Sequence, residues 1–262
     1  MRIILLICIL LYPLDVLGSD TGFSKEEKVL MTNIAGFTAI TAWGVANWDY
    51  FANSPSKADE GWFSMDTKEG GADKLGHFYL SYTLSHILAA TYENWGYSQK
   101  KSAMLGALSS FSIMNWMELG DSFSDFGFSY EDFLMNSIGS IVGYFIYINP
   151  ELSRKIDFRI EYKPSFDQID IFTDYERLKY IFALKLDGFD CVENKILKYL
   201  ELHIGYYARG YSDGLNKERN IYIGIGINLS KIFNDFSMQK LSKITNYIQI
   251  PYTYTSFEKD LN

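Results

Sequence analysis

The sequence is poor in cysteine, with Cys8 and Cys191 as the two examples in 262 residues. Cys8 lies in an N-terminal apolar run that we expect to be removed, so the mature chain keeps Cys191 alone. A single cysteine cannot form an intrachain disulfide, and neither a Ser/His/Asp nor a Cys/His pattern surrounds it. We therefore predict that packing stabilises the fold and that Cys191 is a small buried residue.

Positive charge is also scarce, because 24 Lys and Arg face 32 Asp and Glu, for a formal net charge of -8. The longest basic run is the pair Lys100 and Lys101. Nucleic-acid binding needs clustered Lys and Arg to neutralise phosphates, so we expect no nucleic-acid partner. The chain is 48% hydrophobic and 17% aromatic, which excludes a disordered protein and predicts a folded core.

The N-terminus is typical of a signal peptide. Arg2 precedes an unbroken apolar run over residues 3–11, Pro13 ends the run, and Gly18 offers a small residue for cleavage. We predict a signal peptide over residues 1–18, with an uncleaved anchor as the alternative. Cys8 lies inside the apolar run, too early for a lipidated first residue. The protein is therefore expected in the periplasm or the membrane-associated cell envelope.

Four helices are predicted between residues 24 and 150, in a domain that carries a charged cluster. Ser24 and Glu27 form a candidate capping box, and Ser129 is a candidate N-cap for the last helix. Asn149 and Pro150 would end that helix. The predicted helices cover residues 29–48, 72–94, 102–120 and 130–148.

Beyond residue 150 the apolar residues alternate, which predicts strands. The clearest pair is residues 200–208 with residues 221–229, an antiparallel hairpin that is apolar on one face. His203 falls on the polar face and is expected to be solvated, and a last short strand is expected over residues 248–254. We predict an α+β fold, with an N-terminal four-helix bundle followed by a small antiparallel β-sheet region over residues 151–262.

Three motifs place polar groups at the ends of the predicted helices. Asp73 and His77 are four residues apart, so they share one helix face, where the carboxylate can orient the imidazole. Glu118 ends a stretch without other charged residues, where a carboxylate needs a partner. The candidate catalytic residues are Asp73, His77 and Glu118, and the candidate binding residues are Lys74, Asp121, Asp132 and Asn136.

Each motif also has a structural interpretation. Lys74 and Glu118 could form an ion pair that serves only the fold, and Asp132 could be a capping acid at the start of its helix. Asn136 could provide a hydrogen bond between helices. No spacing of His and Cys matches a structural zinc site, so the sequence identifies neither a metal nor a cofactor.

The order of these motifs resembles two related families. Asp73-Lys-x-x-His77-Phe78, Glu118-x-x-Asp121 and Asp132-x-x-x-Asn136, followed by Gly139 and Gly143, resemble the YfiM-like family of predicted periplasmic (lipo)proteins of unknown function. The same motifs resemble the VanZ-like family of small membrane proteins associated with teicoplanin resistance. The resemblance implies an envelope protein without a stated mechanism. The YfiM-like proteins are often lipoproteins, whereas this chain has no lipobox cysteine.

Three functions are consistent with these features. The first is an envelope protein that binds membrane lipid or envelope-precursor groups at the helix-end cluster. The second is a hydrolase or transferase that acts on an envelope lipid phosphate, with His77 as the base. The third is a structural scaffold associated with the outer membrane and built on the β-rich part.

Overall fold

The computed structural model describes residues 22–163, 174–212, 214 and 216–262, so the predicted signal peptide lies outside the described residues. Within them the chain divides into two compact units. The first comprises the chain up to Glu60 together with Leu80–Ile148, and the second comprises Gly61–Tyr79 with Asn149–Asn262. The long helices are α1 (Lys25–Asn47), α2 (Ala72–Asn94), α3 (Gln99–Asp121) and α4 (Tyr130–Ile148).

The helix ends form where capping groups satisfy free backbone amides. The Ser24 side chain accepts from the backbone N–H of Glu27, and the Glu27 carboxylate accepts from the backbone N–H of Ser24, so the predicted capping box is present. Ser129 Oγ accepts from the backbone N–H of Asp132 at 3.2 Å, which confirms Ser129 as the N-cap of α4. The bounds of α2 and α4 agree with the prediction, whereas α1 begins four residues earlier and α3 three residues earlier than predicted.

The first unit buries small and polar residues together with a core of large apolar ones, and it also exposes many large apolar side chains. On α4, Asn136, Ser140 and Gly143 are buried, while Ile141 and Phe145 are 54% and 55% exposed. The other helices repeat the pattern. Buried small or polar residues include Thr32, Gly36, Ser102, Gly106, Ser109 and Ser110, and exposed apolar residues include Leu30, Ile34, Val45, Met104, Leu108 and Trp116.

Glycines allow the helices to approach closely. A Cβ on Gly106 of α3 would lie 2.6 Å from the backbone nitrogen of Ala89 in α2, and one on Gly143 of α4 would lie 2.7 Å from Ser85 Oγ. Larger residues at these positions would separate the helices. Small residues at such contacts are typical of helices that pack within membranes, where backbone proximity replaces the hydrophobic driving force.

The second unit is built on an antiparallel sheet whose strands follow chain order. Among the described residues the strands are β1 (Ile156–Tyr162), β2 (Leu178–Lys185), β3 (Leu200–Arg209), β4 (Glu218–Ile227) and β5 (Tyr254–Asp260). Short helices lie beside it, namely α5 (Pro150–Ser153), α6 (Leu229–Asp235) and α7 (Gln239–Ile244). The α+β fold is therefore confirmed.

The sheet of the second unit has its polar face buried and part of its apolar face exposed. Glu201 and His203 are fully buried, whereas Ile204 and Ile223, which pair across β3 and β4, are 50% and 65% exposed. The prediction that His203 is solvated is therefore wrong. Strand alternation separates the two faces but does not determine which face meets solvent.

Two smaller predictions are also wrong. The last strand covers Tyr254–Asp260 rather than residues 248–254, because Ile248 makes only an isolated bridge to Ile160 and the chain turns at Tyr252, whose φ is 66°. Cys191 is exposed rather than buried, since it lies outside the strands after Gly188.

Candidate functional site

Asn136 lies inside the first unit and forms hydrogen bonds between helices. Its Oδ1 accepts from Ser81 Oγ of α2 at 3.0 Å, and its Nδ2 donates to the backbone oxygen of Met114 in α3 at 3.4 Å. Ser110 extends this polar layer by donating to the Ser81 carbonyl at 2.7 Å. The amide of Asn136 therefore joins three helices, which is the structural interpretation of this residue.

Glu118 and Asp132 meet close to this layer. They are 1% and 5% exposed, and an oxygen of each carboxylate lies within 4.8 Å of the other. A carboxylate oxygen of Glu60 also lies within 4.8 Å of one on Asp132. Two buried carboxylates this close together can both be ionised only with a positive charge or hydrogen-bond donors beside them. Within the first unit, the carboxylates of the predicted residues Glu118 and Asp132 therefore come together.

Two features position these carboxylates. Asp132 lies in the first turn of α4, where Ser129 caps the helix and the positive end of the helix dipole favours an anion. Glu118 lies in the last turn of α3, on the buried face that also includes Met114. Asp121 ends α3, and its side chain approaches the hydroxyl of Tyr50. Asp121 therefore lies beside Tyr50, which belongs to the buried core of the bundle.

Asp73, Lys74 and His77 belong to the first turns of α2, in the second unit. Lys74 is 1% exposed, and its Nζ lies 2.8 Å from the Asp73 carboxylate. The same turns pack on the sheet, since the Phe78 ring meets Phe158 at 4.9 Å. Asp73 is thus paired with the neighbouring lysine.

A second buried polar cluster lies on the inner face of the sheet, and sequence analysis did not predict it. Arg159 of β1 donates two hydrogen bonds to Glu201 of β3, at 2.6 and 2.9 Å, and a third to Asp157 at 2.7 Å. Lys185 donates to Asp157 at 2.9 Å, and His203 Nε2 lies 2.8 Å from Glu201. In this arrangement, buried groups of opposite charge pair with one another.

The pKa of Glu201 reflects this environment. Burial alone would raise it, but the hydrogen bond with His203 and the charge of Arg159 outweigh burial and hold the pKa below its ordinary value of 4.5. The alternation of polar and apolar residues along β3 identifies the polar face from sequence. The ion pairs on that face cannot be identified in this way, because they depend on which strands are neighbours in the sheet. No local sequence pattern carries that information.

Residues 59–148 match a family model described as "Predicted periplasmic lipoprotein (DUF2279)". The matched segment covers α2, α3 and α4 and contains all the candidate catalytic and binding residues. The chain is an exported protein of the cell envelope. The lipoprotein description applies to the family, and it names no activity. No curated protein and no solved structure matches the chain.

By length and composition, one helix among the described residues could cross a membrane, namely Lys25–Asn47. In its most apolar window 28% of the residues are buried. Serine, asparagine and glycine lower the hydropathy of α3 and α4, and most of those residues are buried. The surfaces that the helices expose are therefore more apolar than their compositions suggest.

Proposed function

We propose that the protein is a membrane-embedded factor of the cell envelope that binds the polar group of an envelope lipid or lipid-linked precursor at its helix-end cluster. The observation that carries the proposal is that the first unit exposes many large apolar side chains while it buries a hydrogen-bonded polar layer. Exposed leucine, isoleucine and phenylalanine on α3 and α4 face outwards, and the hydrogen-bonded polar layer lies inside. Lipid favours this distribution, because buried polar groups then satisfy one another away from hydrocarbon.

Glu118 and Asp132 are the groups that we propose contact the ligand. Their proximity and burial favour a positively charged partner, so an amine-bearing head group such as ethanolamine fits better than a bare phosphate. Asn136 is assigned a positioning role, because its hydrogen bonds hold α4 against α2 and α3. The position of Glu118 and Asp132 at helix ends is consistent with a head group near the membrane interface.

The proposal predicts that lipid co-purifies with the protein and depends on these carboxylates. We expect the chain, extracted from its native membrane in mild detergent, to carry an aminolipid detectable by native mass spectrometry. The double variant Glu118→Gln/Asp132→Asn should lose it, because the amides carry no negative charge. Asp125→Asn, which changes an exposed carboxylate in the loop after α3, is the matched control and should retain the lipid.

Other outcomes separate the competing functions. His77→Ala should leave the bound lipid in place under this proposal. A hydrolase or transferase with His77 as base would instead show turnover of an envelope lipid phosphate that His77→Ala abolishes. If the wild-type chain carries no lipid, or if the double variant keeps it while remaining folded, the binding proposal is contradicted. A scaffold associated with the outer membrane would then be the better interpretation.

A further inference from the structure

The second unit carries a surface that combines lysines with protruding apolar side chains. We call it the basic platform, and define it as residues 195–199 together with residues 229–244, which include α6 and α7. Its segments are packed on one another. The backbone N–H of Asn228 donates to the Tyr199 carbonyl at 2.8 Å, and Ser242 Oγ donates to the Ser230 carbonyl at 2.8 Å.

The apolar side chains of the basic platform protrude into solvent. Ile196 is 75% exposed and Phe236 is 74% exposed. Phe236 lies at the turn between α6 and α7, where Ser237 has a φ of 60°, so the aromatic ring sits at the tip of a tight turn. Met238, Leu241 and Ile244 continue the exposed apolar surface along α7. Side chains of this size at a turn tip are costly in water.

The charge of the basic platform is opposite to that of the chain. Its residues include five lysines and one aspartate, whereas the whole chain has a formal net charge of -8. The aspartate, Asp235, accepts from Lys231 at 2.6 Å and from the Tyr199 hydroxyl at 2.8 Å. The other lysines of the platform are Lys195, Lys198, Lys240 and Lys243.

We infer that the basic platform binds the surface of a bilayer that contains anionic phospholipid. Lysines beside protruding apolar side chains are the combination that holds a protein at such a surface, with the rings in the head-group region and the ammonium groups near phosphates. The exposed apolar residues of the sheet extend the contact, since Ile227 of β4 is 43% exposed and precedes α6 by two residues. This contact lies outside the lipid-binding cluster and does not depend on it.

The test uses the full chain with an environment-sensitive label at the tip of the platform. Met238→Cys in a Cys191→Ser background accepts the fluorophore NBD at one site of the mature chain. The labelled protein is placed in nanodiscs of phosphatidylcholine alone or mixed with phosphatidylglycerol. We expect a blue shift and stronger emission only with phosphatidylglycerol, reversed by high salt because ions screen the lysines.

Two matched lysine variants identify the charges. Lys240→Gln/Lys243→Gln should lower the ratio of bound to unbound platform roughly twenty-five-fold, which is about five-fold for each lysine. The control Lys217→Gln/Lys259→Gln removes two lysines of the same unit from positions outside the platform and should leave the ratio unchanged. Three outcomes would contradict the proposal. Emission could be equal in nanodiscs with and without phosphatidylglycerol, or the two double variants could have equal effects. The blue shift could also appear only when an acidic protein is added. If the first unit is not embedded in the membrane, the labelled protein can be mixed in solution with vesicles of the same two lipid compositions. The NBD emission then reports whether the platform binds them.

Discussion

Replacing Arg159 with alanine will destabilise the sheet by about 3–5 kcal/mol, the usual cost of removing one partner from a buried ion pair. The guanidinium binds Glu201 through two hydrogen bonds and also binds Asp157, and all three side chains are at most 5% exposed. Without Arg159 these carboxylates stay buried with less compensation. Hydrogen–deuterium exchange of peptides from β1 and β3 measures the free energy of opening within the sheet itself.

Arg154→Ala is the matched control, because it removes an arginine whose partners Glu151 and Asp190 are exposed. We expect it to change stability by at most about 1 kcal/mol. Equal effects of the two substitutions would show that the buried cluster does not hold the sheet together. The lowered pKa of Glu201 adds a check by pH. Its contribution to stability is present above pH 4.5 and is lost as the pH falls through the lower folded pKa.

Substitution by arginine on the outer face of the bundle is expected to have the second large effect on stability. Leu108→Arg in α3 and Ile141→Arg in α4 place a charge on surfaces that are 55% and 54% exposed. If these surfaces face hydrocarbon near the middle of the bilayer, each substitution costs about 2.5–3.5 kcal/mol. If they face water, the cost is within about 0.5 kcal/mol, as for most surface substitutions.

Unfolding of each variant in lipid bicelles measures this difference. Leu261→Arg is the control, since Leu261 is an apolar residue of the second unit with 43% exposure. It should unfold like the parent. Arginine variants of the bundle that match this control would show that the outer faces are not in lipid. A partner protein would then be the better explanation for the exposed apolar surface.

Local patterns predicted much of the fold because they act over a few residues. The capping box at Ser24, the N-cap at Ser129 and the bounds of α2 and α4 depend on neighbouring residues, and all are confirmed. The direction of burial could not be predicted in the same way. Periodicity identifies an apolar face on β3 and β4, but whether that face meets core, lipid or water depends on the surroundings of the whole chain.

The candidate site was predictable in part for the same reason. Sequence spacing indicated polar groups near the helix ends, and within the first unit the carboxylates of Glu118 and Asp132 do meet. Sequence suggested that Asn136 could form a hydrogen bond between helices, but it could not identify the partners, because Ser81 and Met114 are distant in the chain. The Arg159–Glu201 pair also depends on tertiary structure, since β2 lies between their strands.

The central claim is that the first unit lies in a bilayer, and alkaline carbonate extraction of the native envelope fraction tests it most directly. Carbonate releases proteins that are held at a surface by charge, including any held through the basic platform alone. We predict that the protein stays in the membrane pellet and enters the detergent phase on partitioning. Release of the folded protein into the supernatant would contradict the claim and make the buried carboxylates part of an ordinary periplasmic core.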